Sequence, residues 1–256
     1  MVIVLLQVAV AAGLVALLVG AWFFGKMLGH RMSSKLSQHP QFGIVQAATM
    51  SMLGLLLGFC FLGSISRFVE RQDILVREAN SVGTLYDVAD LLPDAPRDRT
   101  KELLREYMAQ RLELFAQAGI ASEQVILDRL YATTDRTWVA VREGVMERPQ
   151  YAAVVVPAYT AVPDTLALRN ASELRHLPPF VLAVLITCAF AGIASVGMGV
   201  EKSNTILRRP SLILVLLVAA TLWTTIDLDY PRAGLIRLNP QPLRDAAAKV
   251  TAPAQR

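Results

Sequence analysis

The chain has 256 residues, of which 54% are hydrophobic and 18% charged, with a formal net charge of +4. That is richer in apolar residues than soluble domains usually are. No basic stripe with interleaved aromatics is present, so a nucleic-acid partner has no support.

The apolar residues are concentrated. Four stretches hold no Asp, Glu, Lys or Arg: 1–25, 36–66, 176–200 and 210–226. A helix rises about 1.5 Å per residue and a bilayer core is about 30 Å thick, so each reads as a transmembrane helix, the fourth slightly short. The spacing predicts spans over about 2–24, 43–66, 179–200 and 211–227. The first lacks the positive n-region of a signal peptide and its apolar run is too long for one, so it reads as a retained span. Trp22, Phe23 and Phe24 followed by Lys26 look like an interfacial anchor. The loop after span 1 (Lys26, Arg31, Lys35) and the loop after span 3 (Lys202, Arg208, Arg209 against Glu201) are basic. The positive-inside rule puts them in the cytoplasm and the segment between spans 2 and 3 outside, although seven arginines crowd the opposite membrane edge.

"GFCFLGSISRFVERQD", residues 58–73, carries span 2 out of lipid with no Pro and no Gly after Gly63. Ile65, Phe68, Leu75, Ala79, Val82, Tyr86 and Ala89 continue at helical spacing, with Asp73, Arg77, Asn80, Thr84 and Asp87 on another face. One helix is therefore expected to run on to about Leu92, where Pro93 and Pro96 interrupt it. A second helix follows, with Leu104, Tyr107, Leu114 and Phe115 on its apolar side and Ala118-Gly119 closing it. A third starts after an expected N-cap at Ser122, with Val125, Ile126, Leu130, Thr134, Trp138, Val141 and Val145 as its stripe. A fourth, interrupted by Pro157 and Pro163, leads to Pro178-Pro179 and span 3.

The expected fold is an all-α integral membrane protein with a helical soluble domain inserted between spans 2 and 3. Residues 1–66 form one transmembrane hairpin, 67–178 the soluble domain, 179–229 a second hairpin and 230–256 a C-terminal tail. The inserted domain is near −3 in net charge and the remainder about +7, so the basic excess lies in the short loops and tail, beside lipid headgroups.

Enzyme chemistry is not expected. His30, His39 and His176 are far apart, and no His-x-x-x-His or cysteine pairing offers a zinc site. No glycine-rich phosphate loop occurs. Gly192, Gly197 and Gly199 lie in span 3, where close helix packing accounts for them. Cys60 and Cys188 fall inside spans and need no function beyond filling space. Neither a cofactor nor a metal is expected.

Residues 56–93 carry Gly58, Phe59 and Phe61 at the span end, Arg67-Phe68 and Arg71, then Glu78-Ala79-Asn80, Gly83-Thr84 and Asp90-Leu91-Leu92-Pro93; residues 227–243 read "DLDYPRAGLIRLNPQPL". In these blocks the sequence resembles the bestrophin-like membrane family, itself distantly similar to bestrophin channels. The resemblance implies four spans per subunit, a homo-oligomer (a pentamer in bestrophins) and a second helix that lines an anion pore and extends into a cytosolic domain, the reverse of the charge-rule orientation. The bestrophin Asp-Arg-Trp-Trp step is replaced by "SRFVERQD", and the acidic calcium-clasp run is not evident.

Within span 2, Ala47, Ser51, Gly54 and Gly58 form one small-residue face, and Phe59 and Phe61 stand near its end. Small residues are how membrane helices pack closely; under the channel reading the same face lines a lumen, with Phe59 or Phe61 as a dewetting constriction and Arg67 and Arg71 repeated as rings that favour anions. Spans 2 and 4 leave the membrane on one side, which brings Arg67, Arg71, Asp227, Asp229 and Arg232 to one edge as a charge collar. Charge beside hydrocarbon is costly, so either arginine is expected to pair with the aspartates. Glu78, Asn80 and Thr84 form a polar stretch that could bind an ion or make helix-to-helix hydrogen bonds, Glu78 lying off the face shared by the other two. The leading reading is thus a membrane ion channel; the competitor is a non-conducting scaffold that binds a partner protein through Tyr86, Trp138 and Tyr159.

Overall fold

The computed structural model describes residues 2–31, 40–116, 123–199, 205–231 and 234–252. Among them every regular element is helical: α1 (Val2–Arg31), α2 (Pro40–Val88), α3 (Asp94–Ala116), α4 (Glu123–Glu147), α5 (Ala152–Glu173), α6 (Pro179–Met198), α7 (Thr205–Asp229) and α8 (Gln241–Thr251). Helix α2 is 49 residues long and continuous. It runs on because nothing in residues 58–88 breaks it, and it stops where expected: a single 3-10 turn over Ala89–Leu91, then Leu92 extended at φ −78°, ψ 159° ahead of Pro93. The expected cap at Ser122 and closing Ala118-Gly119 lie outside the described residues.

The chain divides into two units. The first comprises 1–68 and 176–236, the second 69–175 and 237–256. The first is built on α1, the start of α2, α6 and α7, with a core of Leu14, Leu18, Trp22, Leu53, Leu57, Leu185, Ile193, Val215 and Leu222. Helices α1 and α6 pack through glycine. A Cβ on Gly25 would overlap the backbone of Ala194, one on Gly29 would stand 2.8 Å from the Met198 carbonyl oxygen, and one on Gly197 would meet the Trp22 carbonyl. Trp22 is wholly buried in this core, with Lys26 Nζ 5.5 Å from its ring centroid. It is a packing residue, and only Phe23 and Phe24 of the expected anchor are exposed.

The second unit packs α3, α4, α5 and α8 around the later part of α2. Leu75, Val82, Leu85, Leu104, Tyr107, Leu114, Ile126, Leu130, Val155 and Leu166 are in its core, joined by Leu243 and Val250. The last two belong to α8, inside what the sequence presents as a tail. Three apolar residues on one face of an 11-residue helix are too faint a period to read alone; the docking against α3 reveals them. Helix α5 is unbroken, with Pro157 and Pro163 inside it. Each proline removes one helical hydrogen bond, and Ala153, whose carbonyl Pro157 frees, is exposed to solvent.

Among the described residues five helical stretches qualify as spans by length and composition, the four expected and Pro149–Glu173. The fifth, which holds α5, buries Val155, Ala158, Tyr159, Val162 and Leu166 in the core of the second unit.

Candidate functional site

In the first unit, α2 turns an unpartnered face outward. Ser51, Gly54, Leu55, Gly58, Phe59 and Leu62 are all exposed, Phe59 and Leu62 at 63% each. A Cβ added to Gly54 or Gly58 would meet nothing within 4 Å. Among the described residues the small-residue face therefore packs against no other helix. Phe61 lies apart from it, half-buried. Leu55 and Leu62, four residues before Phe59 and three after it, share its face; their 3–4 spacing was the signal that could have placed them there.

The collar residues of this unit separate into two jobs. Asp229, at the end of α7, is 1% exposed. Its Oδ1 accepts from Arg67 Nε at 2.8 Å and its Oδ2 from the Leu177 amide at 2.8 Å, while Arg67 Nη2 also donates to Ser64 Oγ at 3.1 Å. His176 Nδ1 lies 3.1 Å from the Asp229 carbonyl oxygen and 3.5 Å from Oδ2, its ring stacked on Tyr230 at 4.3 Å. Neither His176 nor the Leu177 amide is visible from charge patterning. Asp227, equally buried, meets no arginine side chain in these contacts. It accepts from the amides of Leu235 (2.9 Å) and Ile236 (2.8 Å), and Gly234 permits that approach, since its Cβ would stand 2.6 Å from Oδ1. Two amides just downstream are closer to hand than a long side chain, so the carboxylate closes its own loop. Arg232 lies outside the described residues.

In the second unit, Arg71 is 5% exposed and donates from Nε to the Ser172 carbonyl (3.3 Å) and from Nη2 to the Arg175 carbonyl (2.7 Å). A guanidinium on the carbonyl end of α5 complements the negative end of that helix. Glu78 is fully buried. Its Oε1 accepts from Arg111 Nε at 2.6 Å and from the Tyr107 hydroxyl at 2.8 Å. Burial, and then the Glu78 charge, push the Tyr107 hydroxyl well above its ordinary range, which keeps it a donor. Asn80 and Thr84 face outward on α2, so of the polar stretch Glu78 alone is drawn into helix-to-helix bonding. Tyr159 is buried, donates its hydroxyl to the Thr134 carbonyl (3.1 Å) and stacks with Trp138 at 5.0 Å. Tyr86 is half-buried beneath Lys101 and Arg105. Among the described residues no group of His, Cys, Asp and Glu is placed to hold a metal ion.

The model of the bestrophin-like domain family matches residues 8–243. Crystal structures of a bacterial bestrophin homologue from Klebsiella pneumoniae share the fold. A variant with one tryptophan replaced by alanine superposes with a TM-score of 0.68 at 13% identity, over 94% of this chain and 96% of that one. A tyrosine-to-alanine variant gives 0.64 at 14% identity, over 93% and 96%. No protein of curated function matches the sequence.

Proposed function

We propose that this chain, which belongs to the bestrophin-like family and is a multi-pass membrane protein, forms a homo-oligomeric ion channel lined by the first part of α2. The observation that carries this is the outward face of α2, whose glycines meet no neighbour although glycines elsewhere in the same unit seat against backbone. Repeated around a symmetry axis, that face gives a path with Ser51 and Gly58 as its wide part and Phe59, between Leu55 and Leu62, as a hydrophobic constriction. Four spans serve this arrangement: α1, α2 up to about residue 66, α6 and α7. Helix α5 is assigned to the second unit, whose core takes its apolar residues.

Anion preference is proposed on family likeness. The arginine rings argue for it less than the sequence alone suggests, because Arg67 is neutralised by Asp229 and Arg71 is bonded to carbonyls. Arg67 and Asp229 act here as a structural pair at the membrane edge. The scaffold reading loses much of its surface, since Tyr159 and Trp138 are used inside the second unit.

The test is reconstitution of the full chain in liposomes with halide and sodium flux measured separately. Flux above empty vesicles, raised by Phe59→Ala and reduced by Gly58→Leu at unchanged oligomeric mass, is the expected result. No flux for either ion, or a monomer in mild detergent, would overturn the reading.

A further inference from the structure

Within the buried side of α2 in the second unit, which also holds Ile74, Ala79, Ser81 and Gly83, one row runs Arg71, Leu75, Glu78, Val82 and Leu85. They alternate at steps of four and three, the seam spacing of closely packed helices. The outward row, Val69, Asp73, Val76, Asn80, Thr84 and Asp87, is exposed throughout. Leu75 and Val82, one heptad apart, would each still meet an apolar slot after a slip, at the cost of a mismatch in volume. Arg71 and Glu78 would not. They are also one heptad apart, opposite in charge, and their partners are opposite in charge too: carbonyls at the end of α5 for Arg71, the Arg111 guanidinium and Tyr107 hydroxyl for Glu78.

We propose that Arg71 and Glu78 are positioning residues that fix the register and rotation of α2 in the second unit, and so decide which side chains α2 presents outward. A shift of one heptad in one direction brings Arg71 to Arg111, like against like in a dry interior. The opposite shift brings the Glu78 carboxylate to carbonyls at the negative end of a helix. Both wrong settings are opposed by charge, where the apolar row opposes them only through mismatched volume. A buried ion pair adds little net stability over an apolar pair of similar volume, so its contribution is expected in the uniqueness of the packing, as with a polar residue set in a coiled-coil seam. The inference does not rest on conduction; a chain that carried no ions would still have this key.

The test uses the full chain with Cys60 and Cys188 replaced by Ala and single reporter cysteines placed by Asn80→Cys, on the outward row, or Ala79→Cys, which is buried. The ratio of their maleimide labelling rates is measured with and without the double change Glu78→Gln, Arg111→Met. The ratio is expected to fall about tenfold as other settings become populated, while Tm moves by no more than about 4 °C. Arg71→Met should lower the ratio likewise and Arg71→Lys restore most of it, which covers the case where the double variant does not fold. A ratio held at its starting value in either variant, with or without a lower Tm, overturns the proposal.

Discussion

Two sets of glycines in the first unit are the same residue in opposite surroundings. Gly25, Gly29 and Gly197 have another helix's backbone where a side chain would stand, while Gly54 and Gly58 have nothing within 4 Å. Both sets sit in apolar helices, where close packing is the general expectation for small residues. The neighbours divide them: the first set joins α1 to α6, and the second keeps a face of α2 low and open. A glycine stripe in a membrane helix is thus a statement about clearance, and what occupies the clearance has to be found from the rest of the fold.

The contrast is sharpest under substitution. Gly197→Leu drives a side chain into the Trp22 backbone, which cannot retract as a flexible side chain would, and should cost at least about 3 kcal/mol, seen as loss of a monodisperse peak in detergent. Arg67→Met leaves the buried Asp229 carboxylate without its cation and should cost about 3 kcal/mol, measured as a lower thermal midpoint, since loss of one partner of a buried pair is the expensive case. Tyr107→Phe removes one of two donors to Glu78 and is expected to cost about 1–2 kcal/mol by the same assay. Gly58→Leu, on the open face, should change stability by less than about 0.5 kcal/mol while lowering flux. If Gly58→Leu destabilised as strongly as Gly197→Leu, the two sets would be one after all.

Much of this architecture was legible. The length of α2 followed from the absence of any proline between Pro40 and Pro93, a local property that no distant contact can hide. The ion pair of Arg67 with Asp229 lies within what the sequence offered, an arginine beside one of two aspartates at a shared helix end. What failed had causes at both ranges. Trp22 looked like an anchor because its flanks are aromatic and cationic, yet α6, over 150 residues later, buries it. Asp227 had two amides within nine residues, and proximity in the chain outweighed an opposite charge in space. Pro157 and Pro163 were read as breaks, but a helix held by a hydrophobic core on one side survives the loss of one bond per proline.

The docking of α8 bears on the order in which the protein is made. Leu243 and Val250 are fully buried in a core that α2 begins some 160 residues earlier, and Gln72 and Asn239 exchange two hydrogen bonds across that separation. On a ribosome adding about 5–20 residues per second, the second unit waits at least several seconds after α2 emerges before its core can be completed. During that interval the row from Leu75 to Leu85 lacks its final cover, so a stop codon ahead of residue 243 would yield a chain with all its membrane helices made and its second unit permanently unfinished.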